Sequence, residues 1–153
     1  MKHMKKLSII TLFVGLVLGA ATATAGNDWL NDYDQAMAKA KKEGKFLLVK
    51  FHGSDWCPPC IKLDKEVLAT SEFKSLADQA LVLVDADFPR KSKLPEDQQA
   101  RNEALARKFE IQAFPTVLII DGEGKVLDKM VGYPRGGLDG FLKFITEQTN
   151  SGS

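Results

Sequence analysis

Two cysteines, Cys57 and Cys60, are separated only by two prolines. A disulfide across so short a span constrains the unfolded chain little, because the entropy it removes grows with the length of the closed loop. The spacing therefore favours a chemical role for the pair over an architectural one. Structural zinc sites normally take four Cys or His ligands. Beyond the N-terminal leader described below, this chain offers only the two cysteines and His52, so we expect no metal site.

The surrounding sequence predicts a strand, a short loop, the cysteine pair and then a helix. Residues 46–51 form an apolar run typical of a buried strand, and an apolar helical stripe follows Cys57. A helix that begins at Cys57 directs its unpaired N–H groups and the positive end of its dipole at that sulfur. Such an environment lowers a cysteine pKa from about 8.5 to roughly 3.5–7.5. We predict that an exposed Cys57 attacks disulfides and that a shielded Cys60, one turn later, resolves the mixed disulfide.

Pro58 and Pro59 are compatible with this helix start, because the first helical turn does not use their missing N–H groups. They also stiffen the ring that the two cysteines close. Trp56 directly precedes the pair, and Phe114-Pro115-Thr116 stands far downstream, before another apolar run. The combination of these features with a buried strand makes the Cys-x-x-Cys signal much more specific than the spacing alone.

The rest of the chain alternates helical and strand patterns. Gly44 is a stop signal after the first helix, and residues 121–124 have the composition of a hairpin turn. Two strand–helix–strand units followed by a hairpin and a helix predict an α/β fold, with a central mixed sheet of about four or five strands and helices on both faces. The predicted helices cover residues 29–40, 57–69 with a continuation to 76, 95–109 and 137–145, and the predicted strands cover 46–51, 81–84, 116–120 and 125–131.

The first 25 residues have the features of a secretory leader. Three of the first six residues are lysines, an apolar stretch runs over 7–21, and Ala23-Thr24-Ala25 supplies small residues for signal peptidase. The apolar stretch is shorter than the roughly 20 residues that span a bilayer. We therefore predict a signal peptide over 1–25, cleaved after Ala25, and a periplasmic protein.

The predicted mature chain is a single domain over 26–149 with a flexible tail at 150–153. The formal net charge of the whole chain is +1, and the mature part has no Lys/Arg cluster of the kind that nucleic acid attracts. We expect a monomer that does not bind nucleic acid.

The motifs resemble those of the thioredoxin superfamily. Trp56 to Cys60 match its Trp-Cys-x-x-Cys motif, and Phe114-Pro115-Thr116 match its cis-proline before a strand. The resemblance covers essentially the whole mature chain and implies a thioredoxin fold, with no cofactor beyond the redox-active Cys57–Cys60 disulfide. It also implies that Pro115 is cis and faces the sulfurs, and that the Phe114 backbone pairs with an extended substrate segment.

Three further segments, 53–57, 84–90 and 99–105, are similar to a subgroup of small exported thioredoxin-like proteins. That similarity implies a protein-disulfide reductase or isomerase of the periplasm. Its partners would be exported proteins that contain disulfides and a membrane thiol reductase that donates electrons.

The chain departs from the family at the position of the proton relay. Thioredoxins place an Asp beneath the cysteines, and Lys50 occupies that position here. Asp55 and His52 are nearby candidates for the relay. Asp55 has an alternative role as a loop or cap residue, and His52 as a packing residue at the end of the strand. Pro58 stands where thioredoxins usually carry Gly, and residues between the cysteines tune the reduction potential.

Other functions are compatible with the same pattern. The protein could be a net disulfide oxidant or a thioredoxin of cytochrome maturation. A copper chaperone on this scaffold is a third alternative, since soft thiolates suit Cu(I) and His52 could add a ligand. Residues 88–95 carry Arg90, Lys91 and Lys93, and they are either a solvated loop or a contact for substrate or donor.

Overall fold

The computed structural model describes residues 28–150. The predicted leader and residues 151–153 lie outside this part of the chain. Among residues 28–150, no helix has the length and apolar character needed to cross a membrane. The elements in chain order are β1 (Trp29–Leu30), α1 (Tyr33–Glu43), β2 (Phe46–His52), α2 (Pro58–Leu63) with a π-helical turn (Asp64–Leu68), α3 (Ser71–Ala80), β3 (Leu81–Asp87), α4 (Glu96–Lys108), β4 (Thr116–Ile120), β5 (Val126–Val131) and α5 (Gly137–Thr149).

The five strands form one mixed sheet in the order β1-β3-β2-β4-β5. Strands β1 and β2 run parallel to β3, while β4 is antiparallel to both β2 and β5. The register places Lys50 of β2 between Asp85 of β3 and Val117 of β4. This arrangement confirms the predicted α/β fold with a mixed sheet.

Alternate residues of β2 face two hydrophobic cores, as expected for a strand buried on both sides. Leu48 packs in the core that includes Phe73 of α3 and Phe141 of α5. Val49 and Phe51 pack on the other side, in the core that α1 and α4 cover. Packing on both faces of the sheet holds the C-terminal end of β2 in place, and the loop that leads to Cys57 begins there.

The first predicted helix is wrong at its N-terminus. Trp29 lies in β1 and pairs with Leu83, and the helix begins only at Tyr33. Asp32 is its N-cap and accepts a hydrogen bond from the Gln35 N–H at 2.9 Å, which is the usual way to satisfy a free N–H of the first turn. The predicted stop at Gly44 is confirmed, because Gly44 closes the helix at φ 64°.

The other boundaries agree with the prediction to within a few residues. Thr70 caps α3 by accepting a hydrogen bond from the Phe73 N–H at 3.3 Å. The second hairpin strand begins at Val126, not at residue 125. Asn150 ends α5 with a backbone hydrogen bond to the Thr146 carbonyl at 3.0 Å.

Candidate active site

Cys57 and Cys60 form a disulfide at the start of α2. Their sulfurs are 2.05 Å apart and their Cα atoms 5.3 Å apart. Cys57 is the N-cap of the helix, with Pro58 and Pro59 in the first turn. Its carbonyl accepts hydrogen bonds from the N–H groups of Cys60 and Ile61, at 3.1 and 3.0 Å. The helix and the π-helical turn continue to Leu68, so the helix dipole is directed at the Cys57 sulfur.

Both cysteines are buried in this oxidised form. Cys57 is 3% exposed and Cys60 is 1% exposed, so the expectation of an exposed Cys57 is wrong for the disulfide. Each sulfur covers part of the other once the bond has formed. Pro58 and Pro59 are the exposed residues of the Cys-Pro-Pro-Cys motif.

The Phe114–Pro115 peptide is cis, as the resemblance implies. Pro115 and Thr116 are buried where β4 begins. The Thr116 hydroxyl donates to the Ala113 carbonyl at 2.7 Å, and the Pro115 carbonyl accepts a hydrogen bond from Gly132 N–H at 2.8 Å. These two bonds fix the turn that carries the proline.

Aromatic rings join this turn to the cysteine loop. The Phe114 ring meets the Trp56 ring edge to face at 6.1 Å and stacks on Phe88 at 5.0 Å. The Trp56 Nε1–H donates to the Phe88 carbonyl at 2.7 Å. Arg90 lies over the Trp56 ring, with Cζ 3.5 Å from the ring centroid. The indole next to Cys57 is therefore held between the proline turn and the segment that follows β3.

The carboxylate of Asp55 binds the backbone of the loop that follows β3. Oδ1 accepts a hydrogen bond from the Arg90 N–H at 2.9 Å, and Oδ2 accepts from the N–H groups of Lys91 and Ser92 at 2.8 and 2.9 Å. The hydrogen bond from the Arg90 N–H is the main reason that the Asp55 pKa falls to about 2; the loss of hydration opposes it, and the bonds from Ser92 and Lys91 lower the pKa further. The structure thus favours the loop role of Asp55 over a role in proton transfer.

Lys50 and His52 belong to a cluster of charges beneath α2. The Lys50 ammonium donates to Asp64 Oδ1 at 2.9 Å and lies 3.1 Å from Asp85 Oδ1. It also lies 4.6 Å from the centroid of the Trp29 ring. His52 Nε2 is 2.8 Å from Asp85 Oδ1. Its Nδ1 is 3.7 Å from Asp64 Oδ2, so the imidazole lies between the same two carboxylates that contact Lys50.

The cluster holds Asp85 in its charged form. Burial is the largest single effect and raises the pKa of Asp85, but His52 and Lys50 together outweigh it, so the pKa lies below its ordinary value. The sequence prediction includes neither Asp64 nor Asp85. Asp64 follows Cys60 by one helical turn, and this spacing was an available signal. The pairing of Asp85 with Lys50 depends on strand register, which a sequence pattern does not show.

Comparison with known proteins agrees with this geometry. Residues 33–145 match the family described as thioredoxin-like domain. The disulfide bond reductase DsbH of Chlamydia pneumoniae is 39% identical over 115 residues, which are 75% of this chain and 69% of that protein. A protein disulfide-isomerase of Zea mays is 31% identical over 124 residues, which are 81% of this chain but only 21% of that protein.

A solved structure of the DsbH oxidoreductase shares the fold. It superposes with a TM-score of 0.73 at 35% sequence identity, over 80% of this chain and 84% of that chain. The subgroup of small thioredoxin-like proteins that the sequence resembles is therefore confirmed.

Proposed function

This chain belongs to the thioredoxin-like family of thiol–disulfide oxidoreductases, and we propose that it reduces or isomerises disulfides of exported proteins in the periplasm. The observation that carries the proposal is the Cys57–Cys60 disulfide at a helix start, joined through Trp56 and Phe114 to the turn of Pro115. The direction of electron flow is supported by the likeness to the reductase DsbH, and the compartment by the leader-like residues 1–25.

In the reductive cycle, the Cys57 thiolate attacks one sulfur of a substrate disulfide. A mixed disulfide forms, and the other substrate sulfur leaves as a thiolate and takes up a proton. Cys60 then loses its proton and attacks the Cys57 sulfur. This step releases the second substrate thiolate and leaves the Cys57–Cys60 disulfide seen here. Two electrons have passed to the substrate. A membrane thiol reductase then supplies two more by thiol–disulfide exchange, in which its own dithiol is oxidised to a disulfide and the Cys57–Cys60 disulfide is reduced.

In isomerisation the first step is the same, but a substrate thiol attacks the mixed disulfide before Cys60 does. The substrate then forms a different disulfide and Cys57 leaves with its electrons. No resident cofactor takes part in either cycle, because the exchange needs only thiols and a disulfide. Phe114 and Thr116 flank Pro115 in the turn along which the substrate segment lies in this proposal.

We assign the proton relay for Cys60 to His52. The imidazole stands at the end of β2 and is 3% exposed, with Nε2 2.8 Å from Asp85 Oδ1 and Nδ1 3.7 Å from Asp64 Oδ2. A neutral imidazole accepts a proton at one nitrogen while the other keeps its own. An ammonium group such as that of Lys50 donates hydrogen bonds and has no lone pair to accept a proton; here it donates to Asp64. Asp55 accepts from three backbone N–H groups. Both are thereby less suited to the task.

The reduction potential and the ability to reduce insulin test the direction. We expect a potential near that of thioredoxin, about −270 mV, rather than near the strongly oxidising value of about −120 mV. A potential near the latter value, with no reduction of insulin, contradicts the reductase proposal and favours a net oxidant.

Trapping of intermediates tests the two sulfurs. The Cys60→Ser variant is expected to accumulate mixed disulfides through Cys57, and the Cys57→Ser variant to be inactive. Adducts that form through Cys60 at a comparable rate contradict the assignment of Cys57 as attacking residue. In the wild type, the rate of the resolving step against pH is compared with that of His52→Gln. An unchanged pH profile removes His52 from the relay.

A further inference from the structure

The segment between β3 and α4, residues 88–95, is fastened to the cysteine loop at several points. Asp55 binds the backbone N–H groups of Arg90, Lys91 and Ser92. Just before the segment, Asp87 accepts hydrogen bonds from the backbone N–H and the hydroxyl of Ser54, at 2.9 and 2.6 Å. These contacts join positions 33 to 37 residues apart in sequence. These hydrogen bonds hold the segment in a fixed position beside the cysteine loop.

The segment presents cations that have no carboxylate partner. Arg90, Lys91 and Lys93 are exposed, and none of the ion pairs within residues 28–150 involves them. Residues 88–95 thus carry three exposed cations and no carboxylate of their own.

Nearby acidic groups are already engaged. Asp87 and Glu103 line the same surface depression as Arg90 and Lys93. Asp87 is bound by Ser54, and Glu103 accepts a hydrogen bond from Gln99 at 3.0 Å and lies 3.9 Å from Arg107. Asp55 binds backbone N–H groups, as described above. Hydrogen bonds from neutral groups do not cancel the charge of these carboxylates, but among residues 28–150 none of them forms an ion pair with Arg90, Lys91 or Lys93. The three cations therefore keep N–H donors for an incoming carboxylate.

Arg90 is the cation best placed to meet a substrate. Its guanidinium carbon Cζ lies over the Trp56 ring, 3.5 Å from the centroid, and Trp56 precedes Cys57. A guanidinium that uses its face for a ring keeps N–H donors at its edge for a carboxylate. Phe88, in the same segment, stacks on Phe114 of the proline turn. A polypeptide that lies along this turn with its sulfur at Cys57 passes close to residues 88–95.

We propose that residues 88–95 form a substrate-selecting wall of the active site, which favours disulfides flanked by Asp or Glu in the substrate polypeptide. Arg90 is the specificity-determining residue, Lys91 and Lys93 add to the attraction, and Asp55 is a positioning residue that holds the segment. The inference rests on the proposed function, since it specifies which substrates of that exchange react fastest. Charge of this kind acts mainly on the rate of encounter and weakens as salt increases.

The test uses three disulfide-linked, self-quenched peptide dimers that differ only in the residues beside the cysteine, which are Glu, Gln or Lys. The full chain from residue 26 reduces them, with uncharged dithiothreitol as electron donor, so that only the substrate carries the charge difference. At low salt we expect the Glu peptide to react about tenfold faster than the Lys peptide, a modest effect for electrostatic steering. The difference should largely disappear at about 0.5 M salt.

Variants assign the effect to the segment. Arg90→Gln should reduce the ratio of Glu to Lys rates by about threefold, and Arg90→Gln/Lys91→Gln/Lys93→Gln should bring it close to one, because the attraction depends on the summed charge. Arg90→Lys should retain part of the preference, since it keeps the charge but not the planar guanidinium. Lys125→Gln is the matched control. It removes one exposed cation from the hairpin at the opposite end of β4 and should leave the ratio unchanged.

The outcomes separate this inference from the proposed function. The proposed selectivity of residues 88–95 is overturned if the three peptides react at equal rates, or if the triple variant keeps the preference for the Glu peptide. In either case the proposed function still holds as long as the Gln peptide is reduced in a Cys57-dependent reaction. Failure to reduce any of the peptides overturns both. Loss of the preference in the triple variant, but not in Lys125→Gln, supports the inference.

Discussion

Gly53→Ala is expected to displace Trp56 from its position beside the cysteines. A Cβ atom at residue 53 would overlap Nε1 and Cε2 of the indole and would lie 2.8 Å from Cζ2. All three are atoms of one rigid ring, which cannot yield locally and must rotate as a whole. Rotation separates Nε1 from the Phe88 carbonyl and the ring from Arg90, which are now 2.7 Å and 3.5 Å away.

The magnitude follows from the contacts that are lost. A hydrogen bond such as that between Trp56 and Phe88 contributes about 0.5–1.5 kcal/mol net, and an exposed cation–π contact such as that of Arg90 contributes about 0.5–1 kcal/mol. Replacement of Gly by Ala also reduces the entropy of the unfolded chain, which stabilises the fold by about 0.4–1 kcal/mol. Gly122→Ala shares this last effect, and its Cβ would meet nothing closer than Lys41 Cα at 3.9 Å.

The comparison of the two variants therefore isolates the displacement of the indole. We expect the free energy of unfolding of Gly53→Ala to be about 1–2.5 kcal/mol lower than that of Gly122→Ala, measured by urea denaturation. In a Trp29→Phe background Trp56 is the remaining tryptophan, and its emission should shift only in Gly53→Ala. Equal stabilities together with an unchanged emission spectrum would refute the packing argument.

Two more predictions concern other positions. Gly140→Ala should lower the free energy of unfolding by about 1–3 kcal/mol, because its Cβ would overlap the backbone carbonyl of Arg135; denaturation that matches the wild type contradicts this. The folded-state pKa of Asp55 is about 2, below the ordinary value of about 3.9, so Asp55 contributes stability that is fully present above pH 4 and is lost as the pH falls toward 2. The urea midpoint of the wild type should therefore fall more steeply over this range than that of Asp55→Asn, and parallel curves contradict the prediction.

The sheet and most helices could be predicted because the local pattern and the tertiary packing agree. The run of β2 is apolar on both faces, and its residues fill both cores. Trp29 is the exception, since it stands four positions before Tyr33 and so continues the helical spacing. In the structure its backbone pairs with Leu83 and its ring stacks near Phe73 at 6.5 Å. A strand of two residues is too short to show the alternation of apolar and polar residues by which strands are recognised in a sequence.

The cysteine pair and the proline turn could be predicted because they are short motifs. The environment of Trp56 could not, because it depends on contacts across long stretches of sequence. Phe88 and Arg90 are 32 and 35 positions from the residues to which they bind in the cysteine loop. The same sequence around Asp55 is compatible with a loop residue and with a proton relay. Only the hydrogen-bond partners of its carboxylate distinguish the two roles.

The charge balance beneath α2 adds a reason to place the relay on His52. Lys50 is one cation in contact with two carboxylates, Asp64 and Asp85, so the three groups together carry an excess of one negative charge. His52 Nε2 is 2.8 Å from Asp85 Oδ1, so the proposed relay would deliver its proton beside this excess. A buried charge is stable only when it is paired. Lys50 and His52 thus share the same two carboxylates, Asp64 and Asp85, and this shared contact is why the proposed relay uses the imidazole and not a carboxylate of its own.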